Sequence, residues 1–117
     1  MLDFSRVQNY YIACGYTDMH KQIDGLAALV QTQFGREMEE TSLYLFCGRR
    51  ADRIKALYWD GTGYILLYKR LTEKRFQWPR NEAELKKLTP QEFRWLMEGL
   101  SITRTKAFVP GTPGRVC

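Results

Sequence analysis

Apolar positions recur along this chain with two different periods. Met19, Ile23, Leu26, Ala27, Val30 and Phe34 are spaced by threes and fours, which predicts an amphipathic helix entered near Thr17. Thr17 offers an N-cap hydroxyl, Asp18 puts a carboxylate in the first turn, and Gly35 supplies the residue that ends the helix. Gly25, inside this segment, costs about 1 kcal/mol relative to alanine, and its presence points to a close approach by a neighbouring backbone. Glu37, Glu39 and Glu40 then make an acidic, exposed connection.

The second period is two. Residues 43–47, 54–59 and 63–71 are rich in β-branched, aromatic and leucine side chains and read as strands, with 75–78 as a short fourth. Between the second and third lies Asp60, Gly61, Thr62, Gly63, a hairpin signal of residues that tolerate positive φ. Residues 10–14 read as a further short strand or an extended arm. Downstream, Asn81 with Glu84 and Thr89 with Glu92 are two N-cap and N3 pairs, the second with Pro90 at the first helical position, so two short helices are predicted. The expectation is one α+β domain over residues 1–100. In it an antiparallel β-meander of about four strands carries an N-terminal amphipathic helix and short C-terminal helices. Residues 101–117, polar and rich in Gly and Pro, are expected to form a flexible C-terminal tail.

Composition agrees with a folded domain. The 117 residues are 44% hydrophobic and 14% aromatic, far from the low-hydrophobicity range of disordered chains. No apolar run approaches the eighteen or so residues of a spanning helix, and no leader pattern opens the chain, so a cytoplasmic protein with no membrane partner is expected. Cys14, Cys47 and Cys117 are widely separated and His20 is the only histidine, too few ligands for a zinc site. No metal and no cofactor is expected, and Cys14 and Cys47 read as core fillers.

Charge changes the picture most. The net charge is −3 over residues 1–46, +6 over 47–80 and +2 over 81–117, so the overall +5 is a property of one segment. Such a block attracts polyanions, with nucleic acid the commonest in a cytosol. In antiparallel strands the first and third connections lie at the same end of the sheet. Arg49, Arg50 and Arg53 should therefore meet Lys69, Arg70, Lys74 and Arg75 there, and with Lys55 they are the candidate phosphate contacts. The nearby aromatics Tyr58, Trp59, Tyr64, Tyr68, Phe76 and Trp78 are read chiefly as core, with stacking on unpaired bases as the alternative.

The pieces TDM, IDGLAALV, DRIKALYWDGTG, LLYKRL and RFQWP, in this order across residues 4–102, resemble the TnpB accessory protein family of the bacterial insertion sequences numbered sixty-six. This is not the RNA-guided nuclease of the same name. The resemblance implies a role in DNA transposition beside a separate transposase that carries the strand-cutting carboxylates. Against the family's usual pattern this chain has His20 in place of Arg, Gln22 in place of Gly, and Lys74 in a glycine position.

Catalysis is not expected. Asp18 and Asp24 are six residues apart and differ in direction by roughly 120° on an ideal helix, which does not build a metal-ion nuclease site. No nucleophile elbow and no GxxxxGK[ST] phosphate loop occurs. The reading is a non-catalytic accessory protein that binds DNA and acts with the transposase of the same element, without a small-molecule substrate. The alternatives are an adaptor that binds the transposase rather than DNA, with Glu37, Glu39 and Glu40 as the docking charge, and, more weakly, a metal-dependent nuclease.

Overall fold

In a computed structural model the chain forms a mixed sheet with helices on its two faces, and the structure describes residues 6–35, 37–39, 41–80 and 85–98. Strands β1 (Asn9–Ala13), β2 (Ser42–Cys47), β3 (Arg53–Trp59), β4 (Tyr64–Arg70) and β5 (Leu85–Leu88) are ordered β4-β3-β2-β1-β5. The antiparallel meander is there as β2-β3-β4. Two strands depart from it. Residues 10–14 are not a loose arm: β1 pairs in parallel with β2, because an α-helical crossover returns the chain to the same end of the sheet.

The other departure is β5, where a first C-terminal helix was expected. Leu85 and Leu88 are three apart, a spacing that in a helix puts both on one face. In a strand it sends them to opposite faces, and here Leu85 packs under the N-terminal helix while Leu88 enters the core on the other side. Pairing with β1 through Tyr10↔Leu88 and Ala13↔Leu85 satisfies both. Asn81 and Glu84 lie outside the described residues, as does the tail 101–117. Residues 75–78, expected as a strand, join no ladder. They form an extended strap whose Phe76 and Trp78 are buried at the end of the sheet.

Helix α1 (Ile23–Ala28) continues into a π-helical turn, Leu29–Gln33, and Gly35 follows it at φ +64°. The helix begins later than the periodicity predicts. Thr17 is buried and its amide donates to the Cys47 carbonyl (2.8 Å), so it ties the preceding loop to β2, and Gln22 occupies the N-cap. What lies nearest Gly25 is not the expected neighbouring backbone but a side chain: a Cβ there would meet Lys21 at 3.3 Å. Gly48 is the crowded glycine: a Cβ would lie 2.7 Å from Met19 Cγ, so a side chain at position 48 would displace Met19 from its place over the β2–β3 connection. Helix α2 (Pro90–Met97) opens as expected, with Thr89 Oγ1 accepting from the Glu92 amide and Glu92 Oε1 from the Thr89 amide.

The two faces of the sheet carry separate cores. Tyr11, Ala13, Tyr44, Phe46 and Leu57 face α1, which contributes Leu26 and Ala27, and the π-helical turn after it, which contributes Val30. Ile12, Leu43, Leu45, Cys47, Ile54, Ala56 and Tyr58 face α2 and the strap. All six residues of β2 are buried, as the central strand of a sheet covered on both sides requires. Burying a side chain such as Leu57 contributes about 1.5–3 kcal/mol.

Candidate nucleic-acid interface

Because β1 runs parallel to β2, three segments emerge at one end of the sheet: the β1–α1 loop, the β2–β3 connection and the chain that follows β4. Backbone hydrogen bonds lock them together. The Leu71 amide donates to the Asp52 carbonyl and the Phe76 amide to the Ala51 carbonyl, each at 2.7 Å. Arg75 Nη1 donates to the Arg50 carbonyl (2.9 Å), the Gly15 amide to the Pro79 carbonyl and Trp78 Nε1 to the Ala13 carbonyl, both 2.8 Å. Ala51, at the centre of this knot, is a non-glycine residue at φ +61°, a backbone conformation held by its neighbours on both sides.

The structure therefore brings most of the expected basic residues to one end. Arg49, Arg50, Lys74 and Arg75 are exposed there, and Arg53 and Arg70 are partners in the β3–β4 register. Arg53 Nε donates to Asp52 Oδ1 (3.1 Å), which holds the Asp52 carboxyl below its usual range and raises Arg53. Two of the expected residues are placed differently. Lys55 is 7% exposed and spends its amine on the Lys21 carbonyl (2.8 Å), bracing the start of α1. Lys69 lies on the α2 face, where its Nζ donates to the Met97 carbonyl (3.3 Å).

Three residues of this end carry no local signal in the sequence. Tyr16 is 48% exposed, with Arg49 Cζ 4.8 Å and Arg80 Cζ 4.0 Å from its ring centroid. One terminal nitrogen of Arg80 is buried without an acceptor, a donor the described residues leave unused. His20 Nδ1 lies 3.0 Å from Asp18 Oδ1, and that oxygen also accepts from the His20 amide, which holds the Asp18 carboxyl below its ordinary value.

Between the β1–α1 loop and the β2–β3 connection runs an open groove of about 470 Å³, bordered by Tyr16, His20, Arg49, Arg50 and Arg53, with Asp18 its one carboxylate. A second groove of the same size lies over β3 and β4, bordered by Lys55, Leu66 and Tyr68, and shares Met19, His20 and Arg53 with the first. No group of three or more His, Cys, Asp and Glu side chains converges among the described residues. Burial pushes the Cys47 thiol up to about 12, so it is a core side chain and not a nucleophile at neutral pH.

Comparison with known proteins defines the class. Residues 8–107 match the family described as IS66 Orf2 like protein. Two curated proteins of Sinorhizobium fredii (strain NBRC 101917 / NGR234) are similar, each 32% identical. Uncharacterized protein y4jC aligns over 106 residues, 91% of either chain, and uncharacterized protein y4hO over 100 residues, 86% of this chain and 87% of that one. No solved structure matches. The chain thus falls in the class of insertion-sequence accessory proteins. It belongs to the IS66 Orf2-like family.

Proposed function

We propose that this protein is a non-catalytic transposition accessory factor that holds DNA at the basic end of its sheet. The observation that carries this reading is the junction of the β2–β3 connection with the strap, through the Leu71–Asp52, Phe76–Ala51 and Arg75–Arg50 hydrogen bonds. It satisfies backbone groups among the chain's own segments and leaves Arg49, Arg50, Lys74 and Arg75 at the surface. With Arg53 and Arg70 they form a convergent cationic surface of the kind that tracks a phosphate backbone. Lys55, buried against the Lys21 carbonyl, and Lys69, turned to the α2 face, contribute to its frame and field more than to contact.

Fluorescence anisotropy against labelled duplex DNA across a salt series tests this. Affinity is expected to fall with salt at a log-log slope of about −0.9 for each phosphate engaged. The triple variant Arg49→Ala, Arg50→Ala, Arg53→Ala should lose binding. A flat salt response, or unchanged binding by the triple variant, counts against the assignment. Absence of binding at low salt together with direct association with the element's transposase would transfer the role to that protein contact.

A further inference from the structure

The sheet contains many aromatic side chains, and the structure separates them by exposure. Tyr58, Phe76 and Trp78 are buried, and Trp59 and Tyr64 pack on one another with centroids 4.8 Å apart. Among the described residues the two large hydrophobic side chains left exposed are Tyr16 at 48% and Tyr68 at 54%. Neither is placed at random: Tyr16 borders the first groove and Tyr68 the second, and Arg53 borders both.

The reason Tyr68 is open lies in the fold. It sits on the α1 face of β4, opposite Lys55, but α1 begins only at Ile23 and covers Leu57, Tyr64 and Leu66 further along. Over Tyr68 there is instead the standing loop that carries Met19 and His20, which leaves the groove between them. An open ring at Tyr68 and a half-exposed one at Tyr16, in adjoining cationic grooves, are a poor fit to duplex DNA, whose bases are already stacked inside. They suit a strand whose bases are unpaired, because each base then has a face to place on a ring while guanidiniums hold its phosphates.

We infer that the adjoining grooves bind single-stranded DNA, with unpaired bases stacked on Tyr68 and Tyr16 and the backbone held by Arg49, Arg50 and Arg53. This inference rests on the DNA-binding reading above and adds to it the form of the nucleic acid. Tyr16 enters it with Arg49 and Arg80 already over its ring, so a base there would share the ring with cations. Tyr68 is the more open of the two and should carry the larger share.

The test compares labelled oligo-dT, an abasic oligonucleotide of the same length and a duplex of that length, with the full chain and its Tyr68→Ala, Tyr68→Phe and Tyr16→Ala variants. Oligo-dT should bind tenfold or more tightly than the abasic strand, roughly the effect of one base on one aromatic ring. Tyr68→Ala should erase most of that difference and cost duplex binding far less, whereas Tyr68→Phe, which keeps the ring, should keep most of the preference for oligo-dT over the abasic strand. Equal affinity for oligo-dT and abasic DNA, or an equal loss by Tyr68→Ala on single strand and duplex, overturns the inference while the DNA-binding reading stands. Binding to none of the three DNAs overturns both.

Discussion

The two connections that flank β3 join neighbouring antiparallel strands, yet they are held by different means. The β3–β4 turn satisfies itself: Asp60 Oδ1 accepts from the amides of Thr62 and Gly63 and from Thr62 Oγ1, all within 2.8–2.9 Å, and the Asp60 amide donates to the Gly63 carbonyl. The β2–β3 connection closes on itself only through its backbone, the Ala51 amide donating to the Gly48 carbonyl (3.1 Å) and the Gly48 amide to the Arg53 carbonyl (3.3 Å), while its Arg50, Ala51 and Asp52 carbonyls accept from Arg75, Phe76 and Leu71 elsewhere in the chain. A self-contained turn needs a carboxylate and glycines, and it leaves little for a partner to use. A connection tied down through its carbonyls by distant segments is free to fill its side-chain positions with arginine.

The largest expected effect comes from breaking the distant ties. Trp78 is 5% exposed and its indole N–H is bonded to Ala13, so it fastens the strap to β1. Trp78→Ala should cost about 3–5 kcal/mol of folding stability, measured by urea denaturation. DNA affinity should fall with it at urea concentrations below the unfolding midpoint, because the strap carries Arg75 and Lys74 directly precedes it. A loss under about 1 kcal/mol would show that the basic end does not depend on this anchor.

The opposite end should yield less and leave DNA alone. Gly61 sits at φ +97°, so Gly61→Ala should cost about 1 kcal/mol or somewhat more, with no change in DNA affinity of the folded protein. Smaller still is the acid response. The Thr62 and Gly63 amides hold the Asp60 carboxyl below its ordinary value, so its contribution is present above the unfolded-state pKa and is lost as pH falls through the lowered folded one. Below about pH 4 the parent should therefore lose more of its thermal midpoint than Asp60→Asn, which keeps an acceptor but does not titrate. Parallel pH profiles for the two proteins would show that the carboxylate's charge is not what closes the turn.

This contrast also explains what could be read in the sequence. The Asp60 turn, the Thr89 capping box and strands β2 to β4 are local features, and residue type and spacing identify them. So is the rule that alternate connections share an end, which placed Arg49 and Arg50 beside Arg75 in advance. The parallel pairing of β1 is not local: it depends on α1 as a crossover, and nothing in residues 9–13 distinguishes a parallel from an antiparallel partner. Missing it meant missing Tyr16 and His20, which reach the basic end only because β1 points there. Lys55 shows the converse limit. It sits in an alternating strand as a charge that should face solvent, but the Lys21 carbonyl stands over it and takes its proton donor.

The most discriminating variant has almost no effect on stability. Arg50 is exposed, and what the fold uses of it is its backbone carbonyl, which Arg75 holds. Arg50→Ala should thus change stability by no more than about 0.5 kcal/mol. If its guanidinium meets a phosphate, the log-log salt slope for DNA should become shallower by about 0.9. Lys87→Ala on β5 is the control: it removes the same charge from the opposite edge strand, where the side chain is also exposed. A contact predicts a slope change for Arg50→Ala alone, while a diffuse field predicts equal, small affinity losses for both variants with neither slope changed. Equal responses would dissolve the distinction between the two regions, since the basic end would then act only through net charge.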